Sequence, residues 1–180
     1  MDMEGKKVPG EKRRNLILSL LKGSSEPVTG NTLAEYMNVS RQVIVQDVSL
    51  LKAKGIPIIA TSRGYVFFLE NKTASYLTKV IAVCHQSEET KDELYTLVDH
   101  GVSVRDVMVE HPVYGDITGP LMLKNRRDVE AFLDEMKQTE AALLSQLTDG
   151  VHLHTIEAET QQQLDEACEV LRMKGILLEQ

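Results

Sequence analysis

The sequence predicts two domains: a winged helix-turn-helix over residues 1–70, mostly α with a β-hairpin wing, and an α+β domain over residues 71–180, with helices over one face of a sheet. Three observations carry this. Up to Gly55 the apolar residues recur at helical spacing, and a short hairpin pattern follows. After "ENKTAS" strand-like and helix-like segments begin to alternate. Charge divides at the same place: residues 1–70 hold ten Lys and Arg against seven Asp and Glu, residues 71–180 ten against twenty, within a net charge of −7.

Each N-terminal element has its own signal. In "KRRNLILSLLK" the stripe Leu16, Ile17, Leu20 and Leu21 predicts a helix, and "GSSEPVTG" breaks it. Thr32 is the expected cap of a short helix holding Leu33, Ala34 and Met37, and Asn38 and Val39 make the turn. Ser40 is the expected cap of the next helix, which directs Val43, Ile44, Val48, Leu50 and Leu51 inward and ends at Gly55. Ile58–Ala60 and Tyr65–Leu69 read as two strands joined by "TSRG", with Arg63 and Gly64 at the tip.

The C-terminal elements follow in the order β-α-β-β-α-β-α-β. "YLTKVIAVCH" alternates and reads as a strand ending at His85. "SEETKDELYTLVDHG" is an amphipathic helix with Thr90 as its cap, Leu94, Leu97 and Val98 facing inward, and Gly101 as its stop. "VSVRDVMVEHPVYGDITGPLML" gives two strands around a turn, and "NRRDVEAFLDEMKQTEAALLSQL" a long helix capped near Asn125. "GVHLHTIEA" is the next strand, "TQQQLDEACEVLRMKG" the last helix, and "ILLEQ" a short final strand.

Composition narrows the function classes. No run of about 18 apolar residues exists, so no membrane span is expected. The polar N-terminus has no apolar signal core, and Cys84 and Cys168 form no CxxC pair, so a cytoplasmic, reduced protein is expected. No Ser-His-Asp or phosphate-loop signature is present. Five histidines stand out. His152 and His154, at i and i+2 on a strand, face the same way. His85 ends a strand, and Glu93 lies eight residues later in the following helix. Imidazoles with a carboxylate suit zinc, nickel or iron. On spacing alone the simpler reading is an ordinary half-exposed strand, with His85 and His111 hydrogen-bonded at element ends. Cys84 alternates away from His85 and reads as core, and His100 reads as a structural residue at a helix C-terminus.

"LAEYMNVSRQVIVQDVSLLKAKG" resembles the small helix-turn-helix at the start of biotin-repressor-like regulators, over roughly residues 10–70. In such domains the second helix enters the major groove, so Ser40, Arg41, Gln42 and Gln46 are the expected readers. Arg pairs bidentately with guanine and Gln with adenine. Ser40 can instead touch a phosphate, Arg63 can reach a neighbouring groove or backbone from the wing, and Lys12, Arg13 and Arg14 can add phosphate contacts. A purely protein-binding winged helix is the bland alternative. Because one winged helix buries little DNA surface, a homodimer on double-stranded operator DNA is expected.

The stretches "VCHQSEETKDELYTLVDHG", "VMVEHPVYGDITGPL" and "GVHLHTIEA" resemble the 3H domain, and the whole chain resembles the niacin-responsive transcriptional repressors of Gram-positive bacteria. That resemblance implies a non-enzymatic repressor of genes for making or taking up NAD precursors, with nicotinic acid as co-repressor. It also implies a divalent transition metal at His85, Glu93, His152 and His154. For the ligand, His111 is the expected carboxylate donor and Tyr114 the ring contact, with Arg105, Arg126 and Arg127 as other carboxylate partners. The 3H domains are expected to make the dimer contact, with residues 69–75 as a hinge. Two rivals remain at this point: a metal-responsive regulator, and a metal-dependent hydrolase with Glu110 as base.

Overall fold

A computed structural model describes residues 9–68 and 76–178. The chain divides into two compact units, Met1–Asn71 and Lys72–Gln180. Among the described residues no helix is long and apolar enough to cross a membrane.

The first unit holds helices α1 (Gly10–Gly23), α2 (Gly30–Tyr36) and α3 (Arg41–Ala53), then strands β1 (Ile58–Thr61) and β2 (Gly64–Phe67). Its core gathers Ile17 and Leu21 of α1, Leu33 of α2, and Ile44, Val48 and Leu51 of α3. Thr29, not Thr32, caps α2: its hydroxyl accepts the Thr32 N–H at 3.0 Å. Helical geometry puts the acceptor three residues ahead, which makes Thr32 the donor. Asn38 takes a left-handed φ of 49° in the turn, and Ser40 caps α3 by accepting the Val43 N–H. Leu50 departs from its expected inward position and is half exposed; the inward place belongs to Asp47, which is buried. Its carboxylate accepts from Arg13 and, at 3.2 Å, from Arg14, so two of the three basic residues expected at phosphate instead tie α1 to α3.

Strands β1 and β2 pair antiparallel around a two-residue turn at Ser62 and Arg63. Tyr65 also bridges to Val28 ahead of α2. Gly64, at φ +129°, permits this close approach, because a Cβ there would lie 2.5 Å from the Val28 carbonyl oxygen. β2 ends at Phe67, and Leu69, the expected end of the second hairpin strand, lies outside the described residues together with the hinge expected at 69–75.

The second unit is a four-stranded antiparallel sheet of β3 (Leu77–Cys84), β4 (Ser103–His111), β5 (Gly115–Leu123) and β6 (Val151–Ala158), in the order β3-β6-β4-β5. Helices α4 (Thr90–Asp99), α5 (Arg126–Thr139) and α6 (Gln161–Met173) contribute to one core with Ile81, Val83, Val104, Leu123 and Ile156 of the sheet. Thr90 is not a cap. A short 3-10 turn, Ser87–Glu89, precedes α4, and Gln86 caps it with Glu89 reaching back to the Gln86 N–H at 3.0 Å. Helix α5 starts where Asn125 caps it but ends at Thr139, where Glu140 turns left-handed at φ 52°. Residues 144–148 form a separate 3-10 turn. Among the described residues, the segment expected as a final strand forms a bridge between Leu177 and Val83.

Candidate functional site

In the first unit, α3 presents Arg41, Gln42 and Gln46 to solvent on the side opposite Ile44, Val48 and Leu51. Ser40 is exposed but spends its hydroxyl on the cap. Arg63, on the hairpin turn, pairs with Glu26 at 3.5 Å. That pair is weak because Glu26 is largely exposed, and an exposed ion pair holds an arginine by about 0–1 kcal/mol.

In the second unit, the pleat turns His152, His154, Ile156 and Ala158 to the helix-covered face. His152 and His154 therefore stand in the core, not on a half-exposed surface. His85 follows β3, and Glu93 enters from the first turn of α4, wholly buried. The four side chains converge. Glu93 Oε2 lies 2.8 Å from His85 Nε2 and 3.6 Å from His152 Nε2, and Glu93 Oε1 lies 3.3 Å from His154 Nε2. His85, Glu93 and His152 offer one ligand atom each within 4.8 Å of one another.

Backbone carbonyls orient all three rings. The Nδ1–H of His85 donates to Gln86 O at 2.8 Å, that of His152 to Gly150 O at 2.8 Å, and that of His154 to Asp106 O at 2.7 Å. Local irregularity supplies two of these acceptors. Gly150 sits at φ +92°, with no room for a Cβ against His85 O. Arg105 is the extra residue of a β-bulge between β4 and β6, beside Asp106. With Nδ1–H committed to a carbonyl, Nε2 is the nitrogen turned inward: protonated it donates to Glu93, and deprotonated it presents the lone pair a metal ligand needs. Burial opposes charge on His85 and His154, yet the hydrogen bond and charge of Glu93 prevail and raise both pKa values. Burial likewise opposes the Glu93 carboxylate, but the charge of His154 and bonds from the three imidazoles hold it well below the usual range. Glu93 Oε1 is nonetheless left without a well-directed hydrogen bond. Three imidazole nitrogens that become ligands on losing their Nε2 protons, one carboxylate and an orphaned carboxylate oxygen fit a divalent transition metal.

The structure does not bring the other expected ligand residues to this cluster. Tyr114 is 78% exposed at the β4–β5 turn, and His111 Nδ1 accepts the N–H groups of Val113 and Tyr114. Arg105 pairs with Glu157 at 3.2 Å, Arg126 with Asp99 at 2.6 Å, and Arg127 is exposed. Glu110 is exposed and faces Asp116 across the hairpin. His100 donates from Nδ1 to Thr96 O at 2.7 Å, as a residue closing a helix does. Beside the cluster lies instead a cavity of about 170 Å³, bounded by Glu93, His152, His154, Thr90, Ser145 and apolar side chains that include Phe132, Met136 and Leu144. On sequence grounds these apolar residues read only as core.

A helix-turn-helix unit in one chain with an α+β unit that holds a buried polar site defines the class of DNA-binding regulators. Residues 13–66 match the HTH domain family and residues 78–180 the 3H domain family. The chain is 50% identical to the transcription repressor NadR of Bacillus subtilis over 173 residues, 96% of each chain. It is 41% identical to the probable transcription repressor NiaR of Thermotoga maritima over 170 residues, 94% of this chain and 95% of that one. The chain belongs to this family of HTH–3H transcription repressors.

Proposed function

We propose that this protein represses genes for NAD synthesis or niacin uptake, binding operator DNA as a homodimer with nicotinic acid as co-repressor. In this reading His85, Glu93, His152 and His154 hold a divalent transition metal in the 3H domain, and the effector binds beside it. The observation that carries it is the convergence of three tautomer-fixed imidazoles on one buried carboxylate, next to a cavity. The names of the two relatives support the NAD and niacin connection. When bound, the metal supplies a positive centre in a domain whose sequence balance is acidic. The chain's own part is to fix the Nε2 atoms, exclude water from Glu93 and leave the cavity open. Arg41, Gln42 and Gln46 read bases, while Ser40 and Arg63 add backbone contacts.

A gel shift tests the whole reading. DNA from upstream of a candidate NAD-synthesis operon is titrated with protein, with and without nicotinic acid and with and without prior chelation. Niacin should tighten binding, and chelation should abolish that effect. No response to niacin, with a response to chelator alone, would favour a metal-responsive regulator, the second reading that the buried cluster supports.

A further inference from the structure

We infer that the cavity walled by Phe132, Met136 and Leu144 is the effector pocket, sized for one small ring, with the Thr90 hydroxyl as its selecting hydrogen-bond group. The inference rests on the effector reading above and adds where the ligand sits, how large it can be and which side chain discriminates. Three observations support it.

The first is size. The cavity measures about 170 Å³. An apolar cavity of about 150 Å³ takes benzene. The space therefore suits a single six-membered ring with one small substituent and is too small to enclose a whole ribonucleotide or dinucleotide. The second is the distribution of chemistry. Aromatic and aliphatic side chains of α5 and the 144–148 turn line it together with a few polar groups, Thr90, Glu93, Ser145, His152 and His154. Small-ligand sites take this form, apolar walls with a few convergent polar groups. The third is an unsatisfied group. Thr90 is 7% exposed, lines the cavity, and its Oγ1 has no hydrogen-bond partner. A buried hydroxyl without a partner is costly, and a ligand acceptor placed opposite it would remove that cost. The departure of Thr90 from its expected capping role frees this hydroxyl, since Gln86 caps the turn before α4.

The half-buried His111 and the exposed Tyr114 do not line this cavity. Calorimetry on the metal-loaded full-length protein, with nicotinic acid as the probe, separates the two locations. Leu144→Trp fills the cavity and should abolish binding while metal content stays at the wild-type level. Thr90→Val keeps the shape and should weaken nicotinic acid about tenfold without lowering the melting temperature of the ligand-free protein. His111→Ala should leave affinity unchanged, and the ribonucleotide of nicotinic acid should not displace the free acid. If the wild type binds nicotinic acid but both cavity variants bind it equally well, or if the ribonucleotide binds as tightly, this proposal falls and the effector reading stands. If the metal-loaded wild type does not bind nicotinic acid, both fall.

Discussion

Glu93 shows how three imidazoles and one carboxylate share a core. With every Nδ1–H committed to a carbonyl, the only variable protons of the cluster lie between Nε2 atoms and Glu93. This gives the metal-stripped protein a defined pH profile. The raised pKa values of His85 and His154 contribute stability that is fully present below about pH 6.5 and is lost as pH rises through the folded values. The depressed Glu93 contributes stability present above about pH 4.3 and lost as pH falls through its folded value. Chelated protein should therefore melt higher at pH 6 than at pH 8. A melting temperature that rises from pH 6 to pH 8 in chelated protein would contradict the cluster's charge state. Gly150 sets the geometry from outside the ligand set. Gly150→Ala meets both a left-handed φ and the His85 carbonyl, and should cost about 1–3 kcal/mol in thermal or chemical unfolding. It should also lower metal affinity, which isothermal titration of the metal would detect.

The paired histidines were legible because strand period alone puts i and i+2 on one face. Their depth was not, since the same alternation fits a solvent-facing strand until the helices are known to cover that face. Thr90 was misread for a related reason. A Thr before a helical pattern looks like a cap, whereas the extra 3-10 turn moves the cap to Gln86 and leaves Thr90 inside. The cavity wall was hidden because Phe132 and Met136 sit at i and i+4, the ordinary signature of a packed helix.

At the scale of elements, α3 carries two different jobs on opposite faces. Its outer face offers Arg41, Gln42 and Gln46, and its inner face buries Asp47 against the guanidinium groups of Arg13 and Arg14. These jobs separate by mutation. Arg41→Ala should weaken operator binding by about 1–3 kcal/mol, roughly 5- to 150-fold, without altering the melting curve. Asp47→Ala removes the buried carboxylate that Arg13 and Arg14 share and should lower stability by about 3 kcal/mol, the lower end for breaking a buried pair. If Asp47→Ala melted like the wild type, the α1–α3 tie would be ornamental, and Arg13 and Arg14 would return as phosphate contacts. The helix stripes and the hairpin were readable from period and turn residues. Asp47 was readable in principle, because a carboxylate at an inward position of an apolar stripe asks for a cation, and "KRRN" lies upstream. The early end of α5 was not. Only Thr139 in "KQTEAALL" is a weak helix former, too small a signal to mark an end, and the left-handed Glu140 stops the helix.

For the whole molecule, a repressor with an effector site in one domain and a DNA surface in the other must obey linkage. If nicotinic acid tightens operator binding by a factor, operator DNA must tighten nicotinic acid by the same factor. For a typical coupling of about 5- to 150-fold, both arms are measurable. The effector can achieve this only by binding the DNA-competent form more tightly than the other, so a variant that loses the effector should keep the basal operator affinity. Leu144→Trp fits that requirement, because it alters the cavity and none of the residues exposed on α3. In paired titrations, the gain in operator affinity from saturating nicotinic acid should equal the gain in nicotinic acid affinity from saturating operator, and both should vanish together in Leu144→Trp. A cavity variant that bound no nicotinic acid yet still gained operator affinity on its addition would place a second effector site elsewhere in the chain. Unequal gains in the wild type would mean that the species titrated differ in assembly. Sedimentation of the protein with and without operator would then give the number of chains at work, and two per operator is the number expected from the small DNA surface that one winged helix covers.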